Sequence, residues 1–360
     1  MRTPLYNEHV SLGARIVDFH GWDMPIEYSN IIEEHIAVRK SAGIFDVSHM
    51  GDIIISGLDA GEFIDHIFPT DITSLKSGQC IYTAFLNENA SIIDDTIIYK
   101  INDKKYFFVP NAANIEIIFN WLKKNVSGYD VEIKNVSDDI ACIAIQGPMY
   151  EEVLNYIGYR SVQPFTFSFE KSAYKNSITG KNNVIISGTG YTGEKGVEII
   201  CPAEEAVEIW KKSVEGLNRV NGKPCGLGSR DTLRMEKGML LSGVDFNNDK
   251  TPYQCSISFI VSNSHDFIGK KKLEERKLTD DDIFRGFISE ERSIPRSGFG
   301  IYFGDKLIGN ITSGTYSPIL QKSIALGYIK KDSSKQGTEI MIDIRGRKVK
   351  ARVSKPRMVP

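Results

Sequence analysis

Several chemistries are missing from this chain, and each absence closes a class of function. No apolar run approaches the roughly 20 residues that a membrane-spanning helix needs. The opening segment MRTPLYNEHV has no apolar core of the kind a secretion signal carries. Cysteine is sparse and scattered, at Cys80, Cys142, Cys201, Cys225 and Cys255, with no CxxC pair. That usage fits buried free thiols in a reducing compartment and gives neither a disulfide frame nor a zinc site. The six histidines stand far apart, with no HExxH or comparable ligand spacing, so no metal site is expected. A Gly-Lys-Ser/Thr phosphate loop and a GxSxG nucleophile turn are both lacking. Charge of one sign is lacking too: the net charge is -2, which excludes a globally basic nucleic-acid binder.

What remains is an ordinary globular composition, 41% hydrophobic and 25% charged, over 360 residues, enough for two or three cores. Asn30 with Glu33 reads as a capping box opening a helix that runs to a C-cap at Gly43. Further helices are expected from Asn111 or Asn114, from Pro148, over AEEAVEIWKKSVEGL, and over SRDTLRMEKGMLL with Ser229 as its cap. Strand-like runs lie between them: GDIIISG, YTAFL, IIDDTIIY, KYFFVP, IACIAIQG, NNVIISG and GVEIICP. Their interleaving lacks a steady βα repeat and predicts an α+β fold with mainly antiparallel sheets. From about Ile283 the chain turns to short strands and Gly/Pro/Ser turns, which predicts a separate all-β barrel or jelly roll.

The stretch SIIDDTIIYK places two acids inside an Ile-rich strand. With period two, Ile93, Asp95, Ile97 and Tyr99 share one face. Asp94 falls on the more polar side, with Thr96 and Lys100 beside Ile92 and Ile98, where it could sit in water. Asp95 has apolar neighbours on both sides, and an unpaired buried carboxylate costs several kcal/mol. Glu198, in GVEIICP, repeats the pattern. Two such acids fit either a polar ligand between sheets or paired structural carboxylates.

GTGYTG, Gly188 to Gly193, matches GxGxxG, but a dinucleotide site needs a helix after it. Here the following residues alternate as a strand, so the glycines belong to a tight loop or leave room for a flat ligand beside Tyr191 and Glu198. Arg230 sits in the first turn of its helix, where the dipole disfavours a cation. It pairs with an acid such as Asp231, or it is aimed at a ligand. His20 and His49 read as hydrogen-bonded structural residues. The tail RGRKVKARVSKPR carries seven basic residues in thirteen. It is a solvated strand edge, a docking surface for an acidic partner or, less favoured for want of interleaved aromatics, a nucleic-acid contact.

Taken together, the blocks TPLYNEHVSLGARIVDFHGWDMPIEYS, HIAVRKSAGIFDVSHMGDI, IIDDTIIYK, VPNAAN, AIQGP, SGTGYTGEKGVEI, PCGLGSRDTLRMEKGM, DFIGKKKLE and TSGTYSPILQKSIALGYI resemble the T-protein family of the glycine cleavage system. They run in order across nearly the whole chain. The resemblance implies an aminomethyltransferase with a three-domain cloverleaf around a central folate channel. The implied domains are 1–52 with 138–228, 53–137 with 229–280, and 281–360. It implies tetrahydrofolate as cosubstrate and, as partner, a small acidic H-protein whose lipoyl arm carries the aminomethyl group. Ammonia is released and methylenetetrahydrofolate formed, in the cytoplasm, or in the mitochondrial matrix if a transit peptide has been removed. Nucleic acid and membrane are not among the implied partners. By motif, the catalytic carboxylate falls on Asp95, and pterin contacts fall on Glu198, Arg230 and Tyr191, with Tyr82, Asn111 and Met50 beside them. Alternatives within the fold are another tetrahydrofolate-dependent demethylase or a non-enzymatic folate-binding protein. The Lys-Gly-Cys motif of the latter is broken here by Met239 after Lys237-Gly238. Two positions depart from the family pattern: Ala90-Ser91 replaces Gly-Gly, and Glu236-Lys237-Gly238 replaces Glu-Ala-Gly.

Overall fold

The computed structural model describes residues 1–360. The chain divides into two compact units, Met1–Thr83 with Asp94–Arg230, and Ala84–Ile93 with Asp231–Pro360. No helix is long and apolar enough to cross a membrane.

A six-stranded sheet forms the centre of the first unit, in the order Phe167–Lys171, Asn183–Ser187, Gly196–Pro202, Ile140–Gln146, Gly43–Asp46, Lys223–Pro224. Every pairing but the last short one is antiparallel. One face packs on the helices Tyr150–Ile157 and Ala206–Arg219 through Val197, Ile199, Cys201, Leu154 and Trp210. The second sheet orders Gln79–Leu86, Ile92–Asn102, Lys105–Phe108, Ile53–Gly57 and Val131–Asn135.

The layer between the sheets positions the site. Ile185 and Ile200 of the first sheet meet Ile54, Tyr99 and Phe107 of the second, with Ile97 and Ile101 packed against them. Strand parity then places Glu198, which shares a face with Ile200, toward that layer. Asp95, which shares a face with Ile97 and Tyr99, points to the same layer. The two acids therefore stand on facing surfaces of two sheets.

In the second unit six strands close a barrel: Asp282–Ser289, Lys322–Lys330, Lys306–Ser317, Gly300–Phe303, Glu339–Ile344 and Arg347–Ser354. Phe287, Ile301, Ile311, Ile329, Ile342 and Val353 fill it. The expected α+β class with a C-terminal barrel is therefore what forms.

Local expectations shift in places. Asn30 does cap its helix, Ile31–Lys40, through Oδ1 and the Ile32 amide, 2.9 Å. The acid that reaches back is Glu34, which accepts from the Tyr28 and Ser29 amides, and not Glu33. Ser41 ends that helix, and Gly43 already belongs to a strand. The arginine-bearing helix begins at Leu227, so Ser229 is inside it. Its hydroxyl donates to the Gly226 carbonyl and to Glu34. The hairpin of Arg15–Phe19 and Trp22–Glu27 was not anticipated. His20 and Gly21, both at positive φ, make its two-residue turn.

Candidate functional site

Asp94 and Asp95 exchange the roles that alternation assigns them. Asp94 is fully buried. Its carboxylate accepts from the Asn111 amide at 2.9 Å, Asn111 Nδ2 at 2.8 Å and Asn114 Nδ2 at 2.8 Å. Asn111 precedes the short 3-10 turn Ala112–Asn114, and Asn114 ends it just ahead of the helix Ile115–Asn125, so the charge lies at a helix N-terminus, where the dipole favours it. Lys100 and Thr96 on that face are buried as well. A face rich in polar residues was buried because loop and helix donors arrive to satisfy it.

Asp95 is only partly buried. Tyr82 Oη donates to it at 2.8 Å and Asn111 Nδ2 at 2.9 Å. Burial first, then the Asp94 charge, push its pKa up to about 7, against the pull of the Tyr82 and Asn111 hydrogen bonds. An acid poised near neutrality can take a proton and give it back. The structure thus gathers three expected site residues, Asp95, Tyr82 and Asn111.

Across the layer, Thr189 Oγ1 donates to one oxygen of Glu198 at 2.5 Å. Thr189 also contacts Ser187 Oγ at 2.8 Å and the Tyr99 hydroxyl at 3.2 Å. Tyr99 lies on the Asp95 strand, so a hydroxyl chain links the two acidic strands. Arg230 stacks over the Tyr191 ring, 4.8 Å from its centroid. It does not pair with Asp231, which bonds Arg234 instead. Its Nη1 is sealed with no hydrogen-bond partner. Burial lowers Arg230's proton affinity, opposed by the charges of Glu198, Tyr191 and Cys142, so these groups lie within electrostatic reach. Met50 is half-buried on the turn that closes with its amide on the Val47 carbonyl, 3.2 Å, and no direct bond joins it to the other six.

The glycines of GTGYTG have a packing cause. A Cβ on Gly190 would lie 2.0 Å from Gln146 Oε1, and one on Gly188 would lie 2.3 Å from the Gln163 carbonyl. Gln146, fully buried, holds the loop by donating to the Thr189 carbonyl, 3.1 Å, and accepting from Thr192 Oγ1, 3.0 Å. The loop then enters the strand Gly196–Pro202, which leaves no helix N-terminus for a dinucleotide.

Residues outside the expected set also line this region. Asp52 is buried, and desolvation, then the Glu198 charge, raise its pKa to about 8. The only sequence signal for it was an acid just ahead of the apolar run Ile53–Ile55. His49 is buried, and its Nδ1 has no partner, contrary to its reading as a hydrogen-bonded structural residue. His20 is exposed in the hairpin turn, its ring 4.7 Å from that of Phe19 and in no hydrogen bond. Three of the seven basic residues of the tail are paired in place. Arg347 pairs with Glu291, Lys348 with Asp343 at 3.4 Å, and Arg352 with Glu290 at 3.0 Å and Glu339 at 2.6 Å. The strand Arg347–Ser354 is bonded on both sides within the closed barrel, so these are exposed surface pairs and guard no sheet edge.

A flat heterocycle with a donor-rich edge fits these residues. Glu198 has one oxygen fixed and the other uncommitted, Arg230 is a partly buried cation without a carboxylate partner, and Tyr191 offers a ring face.

Comparison with known proteins agrees over the full length. Residues 5–265 match the family model described as the GCVT N-terminal domain. Residues 284–359 match the glycine cleavage T-protein C-terminal barrel domain. An aminomethyltransferase of Staphylococcus carnosus is 42% identical, with 99% of this chain and 98% of that protein covered. One from Thermotoga petrophila is 41% identical, covering 97% and 94%. The crystal structure of glycine cleavage system aminomethyltransferase T from Bartonella henselae superposes with a TM-score of 0.91 at 30% identity, over 100% of this chain and 98% of that one.

Proposed function

The chain belongs to the glycine cleavage T-protein family, and from that premise we propose its reaction and the residues that carry it. It is a tetrahydrofolate-dependent aminomethyltransferase. The donor is the aminomethyl group on the lipoyl arm of an H-protein, and the products are ammonia and 5,10-methylenetetrahydrofolate. The setting is cytoplasmic. The chain is organised as three domains, 1–52 with 138–228, 53–137 with 229–280, and 281–360.

One observation supports this reading most strongly. Two carboxylates, Asp95 and Glu198, face one interlayer from separate sheets, and each keeps capacity that the protein does not use. Glu198 accepts two parallel hydrogen bonds from an amino group and an adjacent ring N–H, an arrangement a carboxylate matches well. Tyr191 and Arg230 flank the ring, and Met50 adds apolar contact. Bound tetrahydrofolate supplies the nitrogen nucleophiles that accept the one-carbon unit.

Asp95 manages the proton. Tyr82 and Asn111 fix its oxygens. Its raised pKa lets it take a proton from an attacking nitrogen near neutral pH, and as an anion it steadies positive charge on the carbon being transferred. Asp94 stays structural, its charge serving to hold Asp95's proton affinity up.

A transfer assay with purified, aminomethyl-loaded lipoyl H-protein and tetrahydrofolate tests the reaction. Methylenetetrahydrofolate formed in step with ammonia supports it. Tetrahydrofolate binding without turnover of that donor would point to a different methyl donor on the same scaffold. For the pterin edge, Glu198→Gln should weaken tetrahydrofolate binding at least tenfold by calorimetry, and unchanged affinity would move the pterin elsewhere.

A further inference from the structure

His49 is 3% exposed, just past the strand Gly43–Asp46. The Phe19 ring meets it edge-on, with centroids 5.5 Å apart. Of its two ring nitrogens, only Nδ1 is sealed without a partner. The charged and titratable groups around the ring are Asp46, Arg230 and His20. Asp46 is committed elsewhere: it accepts from Thr3 Oγ1 at 2.6 Å and the Ser48 amide at 2.9 Å, and its other bond is to His9 Nε2 at 2.8 Å.

The protonation state follows from these neighbours. Burial, and then the positive charges of Arg230 and His20, hold His49 down to about 4 against the opposing charge of Asp46. The ring is therefore neutral at physiological pH and carries one N–H. A proton on Nδ1 would be a buried donor with no acceptor and no room for one, which is costly. The proton belongs on Nε2, the nitrogen that a ligand oxygen can reach.

The Arg230 guanidinium lies within electrostatic reach of the ring. The pterin edge that Glu198 would read runs amino group, ring N–H, carbonyl oxygen. A carboxylate satisfies the first two, and the third is an acceptor that needs a donor. We propose that His49 Nε2–H, beside Arg230, donates to that ring carbonyl oxygen, making His49 the residue that distinguishes 4-oxo from 4-amino pteridines. This rests on the folate reading given above. A 4-amino analogue brings a second donor where the oxygen should be, so the site rejects it unless the imidazole changes tautomer and strands a proton on Nδ1.

Calorimetry with tetrahydrofolate and with its 4-amino-4-deoxy analogue tests the assignment, on the parent, His49→Leu and His49→Gln. The parent should favour the 4-oxo ligand by about tenfold or more. His49→Leu should lose about tenfold in tetrahydrofolate affinity and most of the preference, and His49→Gln, which keeps a donor, should recover most of both. Nitrogen-15 NMR of the ligand-free parent should show a neutral Nε2–H tautomer from pH 6 to 8, with flat tetrahydrofolate affinity across that range. A folded His49→Leu that binds both ligands as the parent does would overturn the proposal. If His49→Leu does not fold, an NMR spectrum showing the proton on Nδ1, or a ring titrating above pH 6, overturns it equally. Glu198→Gln separates the two levels. If it weakens tetrahydrofolate binding while His49→Leu leaves both affinities alone, only the His49 role falls. If Glu198→Gln changes nothing, the pterin reading fails with it.

Discussion

Arg230 and Arg234 lie four residues apart in one helix, and their surroundings differ completely. Arg234 is 2% exposed and its donors are engaged. Nε meets Asp231 at 2.8 Å, Nη1 meets Asp245 at 2.6 Å and the Met239 carbonyl at 3.1 Å, and Nη2 meets Ser313 at 2.9 Å. Asp245 is equally saturated, accepting from Thr312 and Ser313 as well. Arg230 makes no ion pair and rests on a tyrosine ring. The same contrast separates His9 from His49. His9 is buried between Asp46 and the Tyr28 hydroxyl, at 2.8 Å from each, whereas His49 reaches neither an acid nor a hydroxyl. One helix thus carries a cation whose partners are all supplied by the fold and, one turn earlier, a partly buried cation that the fold leaves without an acid.

The largest effect should come from breaking the saturated partner. Arg234→Met leaves Asp245 as a buried carboxylate without its cation, at a cost of about 3–5 kcal/mol. Arg230→Met strands no such charge, so chemical denaturation should place it within about 1 kcal/mol of the parent while tetrahydrofolate binding collapses. Equal losses of stability in the two variants would erase the distinction between them.

The paired acids sharpen the same point. Asp95→Asn should lower the transfer rate about 100-fold or more, with tetrahydrofolate affinity kept, whereas wild-type rates would remove Asp95 from the mechanism. In the parent the rate should rise with pH through about 7, as the carboxylate becomes available as a base. Removing the neighbouring charge in Asp94→Asn should move that limb toward acid, because the Asp94 charge is one of the causes holding it up. A limb that stays in place would mean that burial alone sets it.

Asp52 extends the contrast to stability. Its folded pKa, about 8, lies above the ordinary carboxylate value, so the folded state holds a proton that the unfolded chain has released. Its contribution is full at acid pH, below the unfolded value, and is lost as pH rises through about 8. Asp52→Asn should flatten that dependence and make the variant more stable than the parent in mildly alkaline solution, by a few degrees in melting temperature. A parallel pair of stability–pH curves would show that Asp52 titrates normally.

The strand run, the barrel and the acids at 95 and 198 were all legible because alternation and turn residues are local signals. The inversion of Asp94 and Asp95 was not. Which face of a strand is wet depends on what packs there, and the donors that bury Asp94 come from Asn111 and Asn114, seventeen and twenty residues away. The glycines of GTGYTG left a tight loop and room for a ligand as alternatives, and the atom nearest Gly190 belongs to Gln146, which is remote in sequence. His49 was misread for the same reason: its character comes from what fails to reach it, and no spacing rule records a missing partner.

The turn before the acid pair gives the smallest and most discriminating test. The family's Gly-Gly suits a left-handed backbone, and Ala90 holds that conformation here at φ 62°. A left-handed alanine costs about 1–2 kcal/mol. Ala90→Gly removes that strain but adds roughly 0.5–1 kcal/mol of unfolded-state entropy and gives up a buried methyl worth about 0.8 kcal/mol. The terms nearly cancel, so Ala90→Gly should leave stability within about 1 kcal/mol of the parent. Ser91 is different, because its hydroxyl accepts from Arg276 Nη1 at 2.8 Å, and the same nitrogen holds the Asn89 carbonyl at 3.1 Å. Ser91→Gly should therefore cost about 1–2 kcal/mol. If both glycines proved neutral, the hydroxyl would carry no weight in the turn. If Ala90→Gly were the costlier of the two, the buried methyl would outweigh the strain.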